Sequence, residues 1–410
     1  MNFVLREYQV VAVFEAVTKI NNGKVAYLGM QTRTGKTITA LTIANQLHRK
    51  NVLFLTKKKA ISSIQKDFDL LQPDYKITIT NYEQASKLKP EYDFCIIDEA
   101  HNFGAFPKPS KRTKEVKALC KGVHVLFLSG TPTPESKSQI FYQLWLSDYS
   151  PLAKYKNFYA FAKDWVNVKK KKINATMEIN DYSEVKQDFS DQLDRFFITV
   201  TQNQAGFNQT IKEIFHTVEM SEETNNNFKK LKKDRVLENI TADTPAKLLQ
   251  KCHQIASGTI ITDDGEYRIN DFAKMEYLSK HFVRQKKIAI FYKFQSELKM
   301  IEACQSAGYR IAKTPEEFNI TDKCVIYAGQ FSASREGLDL KAADCIIMLN
   351  IDFSAVSYMQ SINRLQSKNR ETQPEIHWIF SNLGLERKIY DTVKNKQKNY
   401  TSSIFLKDKF

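Results

Sequence analysis

Short apolar runs alternate with amphipathic stretches over residues 1–150 of the chain. Each run holds four to six mostly apolar residues between polar ones, which is typical of strands buried on both faces of a parallel sheet. The stretches between the runs repeat apolar positions three or four residues apart, as in helices that pack on such a sheet. The pattern predicts strands at Val25–Leu28, Val52–Leu55, Ile77–Thr80, Phe94–Ile97 and Val123–Leu128.

The same alternation returns in the last third of the chain, where helices such as Ser296–Ser306 and Ser357–Leu365 separate further apolar runs. Strands that alternate with helices are typical of a parallel sheet with helices on both faces. We therefore expect two α/β lobes. The strands predicted for the second lobe are Ile288–Tyr292, Lys323–Tyr327, Cys345–Asn350 and Ile376–Phe380.

The pattern changes between the two alternating regions. Aromatic residues are spaced through polar sequence from about 141 to 200, with the lysine run Lys169–Lys172 expected at a hairpin tip or in an exposed loop. The sequence from Ser221 onward is typical of a capped, charged helix. We expect one domain over 1–210, with a helical or hairpin insertion at about 141–200. A second domain is expected over 211–410, with a helical protrusion at about 221–270.

The composition excludes several classes of protein. The chain has 410 residues, of which 42% are hydrophobic and 12% aromatic, so it is not a disordered chain. Its six cysteines form no Cys-x-x-Cys pair, which speaks against a disulfide scaffold or a cysteine-rich zinc site. The sequence shows neither a secretion leader nor the ~18 uncharged apolar residues of a membrane span. We expect a cytoplasmic protein with no membrane partner.

The charge points to a polyanionic partner. The chain has 61 basic and 46 acidic side chains, a formal charge of +15. The excess lies in the two expected lobes, since residues 1–150 hold 21 basic and 13 acidic groups while residues 151–250 hold 16 and 14. A basic surface attracts phosphate backbones, and such binding weakens steeply with salt. The distribution favours a phosphate track over both lobes.

A phosphate-binding loop follows the first predicted strand. The run Gly29–Thr37 leads into an apolar helix over Ile38–Leu47, and a strand, a tight turn and a helix N-terminus together form such a loop. Met30 stands where the strict G-x-x-x-x-G-K-[ST] pattern has glycine. We expect ATP and Mg²⁺ here, with Lys36 on the β- and γ-phosphates and Thr37 on the metal ion. The nucleotide-binding residues predicted in the loop are Thr34, Gly35, Lys36 and Thr37.

A pair of carboxylates ends the fourth predicted strand. Asp98 and Glu99 follow Phe94–Ile97, and the carboxyl ends of strands face the ligand crevice of such sheets. Asp98 can hold Mg²⁺, while Glu99 can orient and deprotonate the attacking water. The loop and the acid pair together predict ATP hydrolysis.

These motifs resemble those of superfamily-two helicases of the Asp-Glu-Ala-His type, which Asp98–His101 matches in order. The likeness is greatest to the Swi/Snf-like branch, in the compact form met in phage and bacterial genomes. The resemblance implies two RecA-like lobes with helical inter-lobe insertions and an ATP site in the cleft between them. It also implies a DNA helicase or translocase that moves along or remodels single-stranded, duplex or branched DNA, largely independent of sequence.

The resemblance assigns further roles in the first lobe. Leu5–Gln9 resembles the N-terminal segment whose glutamine reads the adenine edge, so Arg6 and Gln9 are expected at the nucleotide. Leu128–Pro132 resembles the motif that couples hydrolysis to lobe movement, through Ser129 and Thr131. The segments Val52–Thr56 and Ile79–Glu83 resemble nucleic-acid contacts, and the residues expected there are Thr56, Lys57, Asn81 and Tyr82.

The second lobe carries two more such motifs. In Ser332–Leu340, the resemblance places Ser332 and Ser334 at nucleic acid, and Gly337 and Asp339 towards the nucleotide. Gln360–Arg370 resembles the arginine-finger helix, in which Gln360 and Arg364 share one face. The family's second arginine is replaced by Ser367, which leaves Arg370 or Lys368 as weaker candidates.

Two other functions remain compatible with the sequence. One is an RNA-directed helicase of the same superfamily, and the other is a motor subunit that serves a nuclease or a replication or recombination protein. Strand separation needs a wedge, for which Val166–Ile179 is the candidate, although a solvated charged loop explains that segment equally well.

Overall fold

The computed structural model describes residues 4–172, 178–207, 211–282, 287–303, 308–322, 324–331, 340, 342–354, 358 and 373–394. These residues form two compact units, of which the first ends at Gly206 and the second begins at Phe207. Each unit has its own six-stranded parallel sheet. The prediction of an α/β fold with two RecA-like sheets is confirmed.

The first sheet is built from the apolar runs of the N-terminal region. Its strands are β1 (Val25–Met30), β2 (Asn51–Thr56), β3 (Lys76–Asn81), β4 (Phe94–Ile97), β5 (His124–Leu128) and β8 (Phe197–Val200). They lie in the order β3-β2-β4-β5-β1-β8, and every neighbouring pair is parallel. The side chains of β4 are buried throughout, as expected for a central strand covered on both faces.

Helices cover both faces of the first sheet. One face packs against apolar residues of the N-terminal helices, such as Ala16 and Leu41. The other face packs against an aromatic cluster that includes Phe141, Phe158 and Phe161. The helices are α1 (Glu7–Gly23), α2 (Lys36–Gln46), α3 (Ile61–Leu71), α4 (Lys111–Leu119), α5 (Ile140–Trp145), α6 (Phe158–Trp165) and α7 (Gln187–Leu193), with short 3₁₀ turns at Lys58–Ala60, Tyr82–Lys87, Ala100–Phe103 and Lys137–Gln139.

Two features of the first unit differ from expectation. β8 belongs to the main sheet although it lies inside the stretch 141–200 that the sequence assigned to an insertion. The lysine run forms the strand β6 (Lys169–Lys172), antiparallel to β7 (Glu178–Asp181), rather than a hairpin tip or a loop. Acidic residues face the lysines of this strand, since Lys169 binds Glu184 and Lys170 lies 3.8 Å from Glu178.

The second sheet is formed by β9 (Lys212–Val218), β14 (Lys287–Tyr292), β15 (Arg310–Ala312), β16 (Val325–Gln330), β17 (Cys345–Met348) and β18 (Glu375–Ser381). The order is β15-β16-β14-β17-β18-β9, again with every pair parallel. The hydrophobic pattern did not predict β9 or β15.

The chain between β9 and β14 forms a small subdomain of helices and hairpins. Its helices are α8 (Glu222–Asp234), α9 (Pro245–Ala256) and α10 (Ala273–His281). Two short antiparallel hairpins join them, β10 (Val236–Leu237) with β11 (Ile240–Thr241), and β12 (Thr259–Ile261) with β13 (Tyr267–Ile269). The stretch 221–270 is therefore not purely helical.

Two more helices complete the second unit, α11 (Gln295–Ala303) and α12 (Pro315–Ile320). The helix predicted at Ser357–Leu365 lies almost wholly outside the described residues. Among the helices that the structure describes, none is both long and apolar enough to cross a membrane.

Candidate active site

The carboxyl edge of the first sheet collects the residues that the motifs singled out. Parallel strands all end at the same edge, which is where α/β sheets bind their ligands. β1 ends in the phosphate loop, β4 ends in the acid pair, and β5 ends in the segment that begins at Ser129. The parallel direction of the strands is therefore enough to bring the phosphate loop, the acid pair and the segment from Ser129 to the same edge of the sheet.

The phosphate loop depends on Gly35 for two reasons. Its φ of 81° is in the left-handed region, which other residues adopt only with strain. A Cβ at this position would also lie 2.5 Å from Nε2 of Gln9. Gly29 does not supply the missing loop glycine, because it lies inside β1 and faces Thr199 of β8.

The N-terminal segment is docked on this loop. Gln9 is buried, and its Nε2 donates to the Gly35 carbonyl and to Thr39 Oγ1, each at 3.3 Å. Its Oε1 accepts from the backbone N–H of Arg6 at 3.0 Å. Tyr8 Oη donates to the carbonyl of Thr34. The Gln9 amide thus holds the loop, and its contact with an adenine edge stays a prediction.

Gln202 is a loop contact that the sequence did not reveal. Its Nε2 donates to the Thr32 carbonyl at 3.1 Å, and its backbone N–H donates to Gln31 Oε1 at 2.7 Å. The Gln31 N–H in turn donates to the carbonyl of Val200, the last residue of β8. The contact exists because β8 lies beside β1, and no local motif signals that pairing.

Lys36 and Thr37 are both partly exposed at the start of α2. Within the described residues, neither side chain has a hydrogen bond or an ion pair. A Cβ on Gly130 would lie 3.3 Å from Lys36 Nζ, so the ammonium group rests against the loop that follows β5. An unengaged ammonium and hydroxyl beside a carboxylate suit a phosphate with Mg²⁺, which prefers oxygen ligands. The residues present therefore fit the predicted ATP and metal ion.

Asp98 is held from two sides. Thr56 Oγ1 donates to Asp98 Oδ2 at 2.8 Å, and Tyr82 Oη donates to the Asp98 carbonyl. Burial and the neighbouring Glu99 charge raise the pKa of Asp98 to about 6, although Lys36 and the Thr56 hydrogen bond lower it. A nearby divalent cation would favour the ionised carboxylate, since opposite charges lower the pKa of an acid.

Glu99 has an unusual backbone for its residue type. Its φ is 46°, in the left-handed region. The backbone of any residue other than glycine is strained in this region, and such strain is often found at functional sites. Burial acts to raise its pKa, but the charge of Lys36 and the hydrogen bond from His101 outweigh burial and hold the pKa well below its usual range. Glu99 is therefore ionised and oriented.

A chain of polar contacts runs from Glu99 to the loop after β5. His101 Nδ1 lies 3.2 Å from Glu99 Oε2 and 3.0 Å from Ser129 Oγ. Because a carboxylate only accepts hydrogen bonds, Nδ1 must carry the proton to bond Glu99. Ser129 Oγ also accepts from the Thr131 backbone N–H at 3.0 Å. The acid pair and the candidate coupling residues are thus linked through one imidazole.

The four residues of the first unit that were expected to contact nucleic acid differ in their burial and in their hydrogen-bond partners. Thr56 and Tyr82 are buried, and their hydroxyls serve Asp98 instead of lining a surface. Lys57 is partly exposed and close enough to lower the pKa of Glu99. Asn81 Oδ1 is buried and has no hydrogen-bond partner in the described part of the chain. Lys57 and Asn81 therefore remain the candidates for contact with a ligand at this edge.

Comparisons with known proteins match part of the chain. Residues 2–87 match the family described as type III restriction enzyme, res subunit, a segment that holds the phosphate loop and ends before the acid pair. A protein named "Putative helicase 109L", from Invertebrate iridescent virus 3, is 27% identical over 96 residues. That alignment covers 23% of this chain and 29% of the viral protein. Both matches support a helicase-type motor.

The helicase motifs of the second unit lie outside the described residues. This applies to the predicted nucleotide and finger residues and to the two serines expected at nucleic acid. They are Ser332, Ser334, Gly337, Asp339, Gln360, Arg364 and Arg370.

The carboxyl edge of the second sheet holds a buried polar network. Asn350 Nδ2 donates to Glu297 Oε1 at 2.8 Å, and Asn350 Oδ1 lies 2.5 Å from His253 Nε2. Burial raises the pKa of Glu297 and, together with Lys293, lowers that of His253 to about 3. Cys252 and His253 lie side by side in helix α9, and the His253 imidazole is neutral.

Proposed function

We propose that this protein is an ATP-dependent DNA translocase or helicase of the Asp-Glu-Ala-His type, in the Swi/Snf-like branch. It moves along or remodels forks, branches or duplex DNA largely independent of sequence. The observation that carries the proposal is the meeting of Lys36, Thr37, Asp98 and Glu99 at one sheet edge. A phosphate loop beside a strand-end acid pair is the arrangement of nucleotide hydrolases.

Each side chain has a definite task in hydrolysis. Lys36 binds the β- and γ-phosphates, while Thr37 and Asp98 hold the metal ion. Bound Mg²⁺ supplies charge neutralisation at the γ-phosphate. Glu99 orients the attacking water and accepts its proton, and His101 fixes the carboxylate through the 3.2 Å contact.

The second unit contributes an arginine in this proposal. Arg364, one helical turn after Gln360, neutralises charge on the transferring phosphoryl group, an effect worth roughly 10³–10⁵ in rate. Arg364→Ala therefore binds nucleotide but does not turn it over. The resemblance and the spacing of Gln360 and Arg364 support this role.

The choice of DNA over RNA rests on the likeness to the Swi/Snf-like branch. The net charge of +15 supports a phosphate track of either kind. An RNA-directed helicase and a motor subunit that serves a nuclease or replication protein are the alternatives. An inactive subunit is disfavoured by the intact set of Lys36, Asp98 and Glu99.

The deciding experiment measures steady-state ATP hydrolysis with single-stranded, duplex, forked and four-way DNA, and with RNA. Stimulation by DNA and not by RNA is expected, with turnover lost in Lys36→Ala and Glu99→Gln. Lys50→Ala, which changes an exposed lysine just before β2, is the matched control and retains turnover. Stimulation by RNA alone, or turnover in Lys36→Ala, overturns the proposal.

A further inference from the structure

A groove of about 500 Å³ opens on the surface of the second unit, beside the turn that follows β18. Helices α8 and α9 form two of its walls, and the turn after β18 forms the third. Its apolar lining consists of Phe228, Pro245, Leu248, Leu249, Cys252, Leu383 and Leu385. Neither the proposed ATP chemistry nor the motifs use any of these residues.

The floor of the groove is preformed. Phe228 and Cys252 are buried members of the apolar cluster beneath the two helices, and Leu248, Leu383 and Leu385 pack against that cluster. Above the floor, Leu249 keeps 40% of its surface exposed. A preformed floor below an exposed aliphatic side chain suits docking, because few side chains of the groove have to become ordered when a partner binds.

The rim of the groove carries charge of one sign. Lys232, Arg235 and Lys388 line it, all three are exposed, and no carboxylate is among the lining residues. Within the ranges that the structure describes, none of the three side chains forms an ion pair. Arg387, by contrast, lies 3.3 Å from Asp391. The rim cations are therefore available to an anionic occupant.

We propose that this groove docks a short acidic segment of a partner protein, with bulky apolar side chains on the floor and carboxylates against the three rim cations. Charge complementarity selects this occupant. The chain's own residues 395–410 hold four lysines and one aspartate, so their charge is of the wrong sign.

Nucleic acid fits the groove less well than a peptide. Single strands are gripped by stacking on exposed rings, with hydroxyl and backbone donors on the phosphates. The one aromatic side chain among the lining residues, Phe228, is 8% exposed, and no side-chain hydroxyl or amide lines the groove. None of the residues proposed for the ATP site lines the groove, and docking there requires no nucleotide turnover.

The test selects 16-residue peptides from a random phage-displayed library on the full chain and measures their affinity by fluorescence anisotropy. Enriched peptides are expected to combine Asp or Glu with Leu, Ile or Phe. Affinity should fall about tenfold or more in Lys232→Glu/Lys388→Glu and in Leu249→Lys. The controls Lys230→Glu, on the same helix, and Ile320→Lys, an exposed apolar residue of α12, should bind as the parent chain does.

Rescue separates charge pairing from misfolding. A peptide with its acids replaced by lysine should bind Lys232→Glu/Lys388→Glu better than the parent chain. The proposal is overturned if no peptide is enriched, or if enriched peptides bind both groove variants unchanged. It is also overturned if the groove variants weaken binding of a 20-nucleotide oligonucleotide and not of peptides. None of these outcomes changes the ATPase measurement that tests the proposed function.

Discussion

His101 Nδ1 lies 3.0 Å from Ser129 Oγ, so an imidazole from the end of β4 meets a hydroxyl from the end of β5. The same nitrogen contacts Glu99, and the same hydroxyl holds the Thr131 N–H. In the proposed hydrolysis, a change in the charge or position of Glu99 would therefore have a direct route into the loop after β5.

Ser129→Ala should uncouple hydrolysis from movement. The change removes the acceptor of the buried Thr131 N–H, at a cost of about 1–3 kcal/mol in stability, and frees His101 from β5. We expect ATP affinity close to that of the parent chain, with severalfold fewer base pairs translocated or opened per ATP. The two rates are measured on the same DNA substrate.

Ser138→Ala is the control for stability alone, because Ser138 is fully buried and donates to the Tyr182 carbonyl away from the acid pair. A Ser129→Ala protein with an unchanged ratio of movement to hydrolysis would show that the contact is only structural.

Thr56→Val should make the metal requirement more dependent on pH. The Thr56 hydroxyl donates to Asp98 Oδ2 and so stabilises the ionised carboxylate. Its loss raises the pKa of Asp98 further above its present value of about 6. A proton and Mg²⁺ compete for the Asp98 carboxylate. Each added unit of pKa raises the ratio of protonated to ionised Asp98 about tenfold at a given pH. The Mg²⁺ concentration for half-maximal turnover should therefore rise more at pH 6.5 than at pH 8.5.

Thr42→Val provides the comparison, since the Thr42 hydroxyl donates only to the Ile38 carbonyl of its own helix. An equal rise in the Mg²⁺ requirement at both pH values would contradict the assigned effect on Asp98.

The positions of the strand ends could be predicted from the sequence. The hydrogen bonds between residues at the ends of different strands could not. Apolar runs located β1, β2 and β4 to within two residues, and strand direction then placed Lys36 and Asp98 at one edge. The inward orientation of Thr56 and Tyr82 depends on Asp98, which offers acceptors for both hydroxyls. Local pattern contains no information on that pairing.

Strand β8 shows a second limit of local pattern. Phe197–Val200 is only four residues long and pairs with β1, about 170 positions earlier in the chain. Periodicity identifies a strand's faces but not a distant partner. The lysine strand β6 was missed for a related reason, because it pairs with β7, whose position the local pattern does not indicate.

Gly35→Ala should weaken nucleotide binding strongly. The left-handed backbone costs a side-chain residue about 1–2 kcal/mol, and the new Cβ would meet Gln9 Nε2 at 2.5 Å. We expect ATP affinity to fall by more than about tenfold, measured with a fluorescent nucleotide.

Gly122→Ala isolates the backbone effect, because Gly122 has a φ of 70° but a Cβ added there would meet no atom within 4 Å. It should lose stability and keep nucleotide affinity. Gln9→Ala in the Gly35→Ala background should recover part of the affinity, and no recovery would show that the clash with Gln9 is irrelevant.

Gln202→Ala should weaken ATP binding moderately. It removes the donor to the Thr32 carbonyl and leaves the backbone contact with Gln31 in place. A lost hydrogen bond of about 1 kcal/mol corresponds to about a fivefold rise in Kd. Gln204→Ala is the matched control, since Gln204 caps the same turn through Thr201 without touching the loop. Equal losses in the two variants would assign the effect to the turn.

Lys169→Ala/Lys170→Ala tests the hairpin as the wedge that separates strands. Both lysines are exposed and lie beside Glu184 and Glu178, and exposed pairs of this kind contribute only about 0–1 kcal/mol each. The fold should therefore be unaffected, and so should stimulation of ATP hydrolysis by single-stranded DNA, while unwinding of a forked duplex falls severalfold. Lys163→Ala, an exposed lysine on the neighbouring helix α6, should leave both rates unchanged. If fork unwinding by the double variant equals that of the parent chain, the lysine strand is a solvated surface and the wedge lies elsewhere.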